Sequence, residues 1–165
     1  MLKKLKLQLL LFALGILTFG FLDGFTAILM IDKYGPMVEF NPLFRHIAIN
    51  YGKIELFTFK NVVVFMVLLT PLLLQKYSRE PMYWTVNGFL SVFTVSGAIA
   101  AIDNYLLFKN GLVYIDPRLV LGMTLVSVVF VIQLGDIADR KEIKDNRFKI
   151  SDEEWSNIKG DMGYP

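Results

Sequence analysis

Asp23, Lys60 and Asp103 stand inside runs of Leu, Val, Ile and Phe long enough to cross a bilayer. Ionisable groups at that depth can relay protons, pass cations or do acid–base chemistry, and they can equally neutralise one another as a structural ion pair. Asn61 and Asn104 directly follow Lys60 and Asp103, and Thr26 lies one turn beyond Asp23, so each charge travels with a hydrogen-bonding side chain. At about 1.5 Å per residue, Asp23 lies roughly 12 Å, Lys60 roughly 6 Å and Asp103 roughly 8 Å from the same end of its span. Glu39, Asn41 and Pro42 belong to the loop over that end, so one polar cluster beneath the loop is expected. The plainer expectation is that Lys60 neutralises Asp23 or Asp103 while Asn61, Asn104 or Thr26 holds the other acid. The sharper one is a net-negative cation or proton site.

Other chemistries lack their residues. Cysteine is absent, which removes disulfides, thiolate catalysis and Cys-ligated metal centres. His46 is the sole histidine, so a haem between paired imidazoles, a His-x-x-x-His zinc site or a multi-histidine copper site cannot be built from this chain alone. The expectation is no metal site and no cofactor. There is no Gly-rich phosphate loop and no repeat, and the net charge of +2 is spread over loops and tails without a nucleic-acid footprint.

The elements that must carry these groups follow from composition. With 165 residues, 55% hydrophobic, 19% charged and a mean hydropathy of +0.51, the chain holds more apolar surface than a small soluble core can hide. An integral membrane protein follows. About 20 helical residues cross the hydrocarbon core, and four runs qualify, at about 7–31, 56–74, 83–108 and 119–135. The expected fold is all-α: a four-span bundle over 1–135, a short interfacial helix on the outer side, and a polar, helical cytoplasmic tail over 136–165. Lys3, Lys4 and Lys6 before the first run resemble a signal peptide, but the run is too long for one and lacks an A-x-A site, so a retained anchor helix is expected.

The interfacial helix has its own punctuation. Asn41 suits an N-cap, Pro42 the first helical position and Tyr51-Gly52 a stop, with Leu43, Phe44, Ile47 and Ala48 on one stripe. In the tail, Ser151-Asp152-Glu153-Glu154 reads as a capping box opening a separate short helix. Ile143, Phe148, Trp155 and Ile158 are its apolar anchors and the expected docking residues.

Asp23-x-x-Thr26, then Glu39-Phe40-Asn41-Pro42-Leu43, then Lys60 and Asn104, in this order and spacing, resembles a family of small microbial membrane proteins known only as a domain of unknown function. The resemblance covers roughly 14–108. It implies that Asp23, Thr26, Glu39, Asn41, Pro42 and Lys60 are signature positions, and it implies no activity.

With no catalytic set, the expected role is a non-catalytic accessory subunit of a larger membrane complex, a membrane oxidoreductase or monooxygenase being one such assembly, with other subunits and the lipid bilayer as partners. The alternative is a small oligomeric cation or proton transporter using the intramembrane carboxylates. A multi-pass place in the cell membrane with both termini cytoplasmic follows from Lys and Arg. Eleven (Lys3, Lys4, Lys6, Lys76, Arg79, Arg140, Lys141, Lys144, Arg147, Lys149, Lys159) fall on the side of the termini, and five (Lys33, Arg45, Lys53, Lys109, Arg118) on the other. Single cysteines in this cysteine-free chain test that orientation. A membrane-impermeant thiol reagent applied to intact cells should label Lys109→Cys and spare Ser151→Cys; the reverse pattern inverts the topology.

Overall fold

The computed structural model describes the backbone of residues 2–78, 80 and 82–161, and the side chains of 6–78, 80 and 82–142. Among these residues every regular element is a helix. Hydrocarbon offers the backbone no hydrogen-bond partner, so an apolar run must pair its own N–H and C=O groups, and a helix does so within one segment. Four helices have the length and apolar character to cross a membrane: Lys6–Tyr34, Lys53–Tyr77, Tyr83–Asn110 and Pro117–Glu142. The chain is a multi-pass, all-α four-helix bundle.

The first span is one continuous helix made of α1 (Leu2–Gly15), a π-helical stretch (Ile16–Leu22) and α2 (Asp23–Tyr34). Gly35, at φ 85°, and Pro36 stop it. Then α3 (Pro42–Asn50) begins as its residues predict: Asn41 Oδ1 accepts from the amides of Leu43 at 2.9 Å and Phe44 at 3.4 Å. Gly52, at φ 107°, turns the chain into α4 (Lys53–Tyr77). The third and fourth spans are α5 (Tyr83–Asn110) and α6 (Pro117–Asp161). Consecutive spans alternate in direction, so α3 and the loop from Gly111 to Asp116 lie at one end of the bundle, and the start of α1 at the other.

Helix α5 is the hub, packing against α1, the π-helical stretch, α2, α4 and α6. Val64 and Leu68 of α4 meet Val86 and Leu90 of α5 in the buried core, with Leu11, Phe12, Ile16 and Phe19 of the first span against them. Close approach of α5 to the first span depends on Gly97, where a Cβ would fall inside the backbone of Phe19. Small residues let helices in lipid touch, and hydrogen bonds between them then hold. Along the α5–α6 seam, Thr124 Oγ1 donates to Ser96 Oγ at 2.7 Å, and Gly135 leaves no room for a Cβ against Thr85.

The end of the fourth span differs from expectation. Asp139, assigned by its polarity to a solvated tail, is 3% exposed. Its carboxylate accepts from the amides of Trp84 at 2.9 Å and Thr85 at 3.1 Å and from Thr85 Oγ1 at 2.9 Å. A helix start leaves its first amides without partners, and here the neighbouring helix supplies the acceptor that a local N-cap would. The capping box at Ser151 opens no new helix, because α6 runs unbroken from Pro117 to Asp161. The docking side chains Ile143, Phe148, Trp155 and Ile158 lie outside the described side chains.

Gly97→Leu and Gly122→Leu should therefore part company. The first forces α5 off the first span and should destabilise the bundle by about 1–3 kcal/mol or more. The second, with nothing within 4 Å of its Cβ position, should be near neutral. Unfolding in mixed micelles measures both; equal effects would contradict the packing.

Candidate functional site

Lys60, about two turns into α4, is 7% exposed, and its ammonium lies 2.9 Å from Asp23 Oδ2 and 3.8 Å from Glu39 Oε2. Asp23 has a second donor, Asn104 Nδ2, at 2.8 Å from Oδ1. One cation thus ties together the first span, the loop and α4, and Asn104 adds α5. Of the two acids that could pair with Lys60 inside the spans, the geometry selects Asp23.

The approach of the first span to α4 is built from local sequence. Asp23 N–H reaches back to the carbonyl of Thr18 in a π-type bond, and π segments frequently mark functional positions. The extra residue per turn turns Gly20, Asp23 and Gly24 towards α4. A Cβ on Gly20 would sit 2.9 Å from Asn61 Oδ1, and one on Gly24 3.0 Å from Phe57. Asn61 donates to the carbonyl of Phe57 in its own helix at 2.8 Å. Thr26 Oγ1 bonds the carbonyls of Leu22 and Asp23. Neither holds a carboxylate, so of the hydrogen-bonding side chains expected to hold an acid only Asn104 does. Thr and Asn inside a helix find their own preceding carbonyls first, which spacing alone does not reveal.

Glu39 is the second acid on Lys60, and its turn is riveted in place. Glu39 Oε1 accepts from the amide of Asn41 at 3.0 Å, and Arg45 Nε donates to the Glu39 carbonyl at 2.8 Å. Pro42 then opens α3, whose Phe44 ring lies 5.2 Å from Lys60 Nζ. Sequence reasoning missed Arg45; its spacing of six from Glu39 across a helix start was the available signal.

Asp103, the other alternative for Lys60, stands apart from the ion pair. Its Oδ1 accepts from the amides of Tyr114 at 3.3 Å and Ile115 at 3.0 Å, anchoring the loop between α5 and α6. Loop amides are strong donors present at almost every residue, so an acid near a tight loop needs no side-chain cation. Asp103 nevertheless lines the same cavity as Asp23, Glu39, Lys60 and Asn104, a space of about 440 Å³. Its deeper wall is apolar, with Val67, Phe93, Leu121 and Leu125. Among the described residues no group of three or more His, Cys, Asp or Glu side chains is placed to hold a metal ion. The carboxylates can balance a cation or hold a proton.

No family model, curated protein or solved structure matches this chain.

Removing the cation should strand two buried carboxylates. Lys60→Met should cost about 3–5 kcal/mol of stability, the range for breaking a buried pair from one side. Adding Asp23→Asn should restore much of that loss, whereas adding Asp103→Asn should not. Double-mutant cycles on unfolding in micelles read the difference; additivity for Lys60 and Asp23 would rule out the pairing.

Proposed function

We propose that the chain is a non-catalytic accessory subunit of a larger membrane assembly, joined to it by the part of α6 that continues past the bilayer. One observation carries this reading. Helix α6 has 45 residues, about 68 Å at ~1.5 Å each against a hydrocarbon core of ~30 Å. Its apolar run ends at Gly135, before Asp136, Asp139, Arg140, Lys141 and Glu142, and α5 is the only helix it packs against among the described residues. Only 6% of its most apolar window is buried, against 28–39% for the other spans. A polar helix of some 20 residues is marginal alone in water. In this reading residues 143–161, whose sequence includes Ile143, Phe148, Trp155 and Ile158, meet a partner on the cytoplasmic side. The engagement of every acid in the polar cluster supports a structural task for it.

A second reading, a small oligomeric cation or proton transporter, is supported by the three carboxylates Asp23, Glu39 and Asp103 around one cavity. The two differ in what the protein needs to act.

Truncation after Glu142 keeps Asp139 and the whole α5–α6 seam, so the bundle should still fold and insert. On native gels of membranes the full chain should run in a high-mass band and the truncated chain in a small one. A truncated chain that stays in the high-mass band, or a full chain that already runs alone, overturns tail-mediated docking. Proton or cation flux by purified protein in vesicles, lost in a folded Asp103→Asn variant, would put the transporter in its place.

A further inference from the structure

The 440 Å³ cavity lies between two helices whose backbones do not approach closely. Residues of α4 and of α6 both line it, and α5 closes the space from behind. In a bilayer such a gap faces the acyl chains. Its volume falls within the ~300–1,000 Å³ typical of small-molecule sites. Along α4 the lining runs from Lys60 to Val67, and along α5 from Leu107 to Phe93. That is about 10–20 Å along the helices at ~1.5 Å per residue, a third to two-thirds of the hydrocarbon core.

Its two ends differ in chemistry. The deep part is lined mainly by aliphatic and phenyl groups, its Ser96 and Thr124 hydroxyls bonded to each other, and can take a hydrocarbon chain. At the α3 end three carboxylates, Asp23, Glu39 and Asp103, face one ammonium, Lys60. The formal balance is two negative charges in excess, on groups each 7–8% exposed. Lys60 sits close to Asp23 but 3.8 Å from Glu39, and Asp103 is met by neutral amides alone. Anionic heads are repelled from such an end and cationic heads attracted, with little screening by solvent. Two further cations lie near this end but do not line the cavity: Arg45, half-buried and bonded to the Glu39 carbonyl, and Arg118, exposed over the Phe40 ring at 5.5 Å.

We propose that this cavity binds an amphiphile with an ammonium head, the head among Asp23, Glu39 and Asp103 and one hydrocarbon chain between α4 and α6. The head supplies positive charge that Lys60 alone does not, and the chain fills an apolar space that would otherwise lack partner atoms on one side. The ammonium can belong to a membrane phospholipid or to a free long-chain amine, and the two are separable by experiment.

The cysteine-free chain allows a protection assay on full-length protein in phosphatidylglycerol vesicles, whose head groups carry no ammonium. Leu121→Cys reports the cavity, and Val126→Cys, 71% exposed on α6 and absent from the lining, reports the surrounding lipid. Labelling by N-ethylmaleimide is timed with dodecylamine, dodecanol or dodecyl phosphate added, or with phosphatidylethanolamine in the vesicles. Dodecylamine should slow labelling of Leu121→Cys by about tenfold near saturation, following 1 + [L]/Kd, and leave Val126→Cys unchanged. Protection by phosphatidylethanolamine as well identifies a lipid source; protection by dodecylamine alone identifies a free amine. In the Leu121→Cys background, Asp103→Asn should weaken protection by the amine and leave dodecanol unaffected. Equal protection by amine and alcohol, preference for the phosphate, no protection at all, or equal slowing at Val126→Cys would each overturn the proposal. This readout is independent of native-gel mass, so it stands or falls separately from the subunit reading.

Discussion

An ammonium group inside hydrocarbon sets the terms for the rest of this bundle. Insertion of Lys or Asp at a helix centre costs roughly 2.5–3.5 kcal/mol, and an unpaired partner left behind costs more. Lys60 is therefore tolerable only while Asp23 and Glu39 stay within reach. Meeting that condition requires the first span to lie close against α4 and the loop before α3 to fold back over both. The features of the first 60 residues that look unrelated in sequence share this task. The π-helical turn before Asp23, the glycines at 20 and 24, the Asn41 cap and the Arg45 bond to the Glu39 carbonyl each hold one acid in place.

The opposite end solves a related problem without a cation. Gln8 Nε2 donates to Gln75 Oε1 at 2.8 Å, joining the first span to α4, and Asp139 caps the start of α5 from α6. Neutral amides and one carboxylate facing helix amides are less demanding than an ion pair, since the positive end of a helix already favours an anion. The two ends thus differ in kind: one held by modest polar clasps, the other by an ion pair with further carboxylates around it.

Much of this was legible in the residues. Four apolar runs, the short helix between Asn41 and Gly52, and the gathering of Asp23, Lys60 and Asn104 at one end all follow from run length, capping chemistry and rise per residue. Thr26 and Asn61 were misread because a side chain's nearest acceptor is a backbone carbonyl of its own helix, which no spacing rule reports. Asp103 was misread because its partners are amides of a loop, and every loop has those. Asp139 was assigned to the tail on polarity alone, although a carboxylate four residues past Gly135 could reach a neighbouring helix start once that glycine let the backbones touch. The π-helical turn had no sequence signal beyond the glycines around it.

The central claim is that Lys60 and Asp23 form a direct ion pair within the membrane. Solid-state NMR of the full chain in bilayers, with 15N-labelled lysine and 13C-labelled aspartate, measures it without perturbing the site. The account expects a strong dipolar coupling between Lys60 Nζ and one aspartate carboxyl carbon, in keeping with the 2.9 Å contact, and its disappearance in Asp23→Asn. A Lys60 signal with no such coupling, or one that survives Asp23→Asn and vanishes in Asp103→Asn, would contradict it.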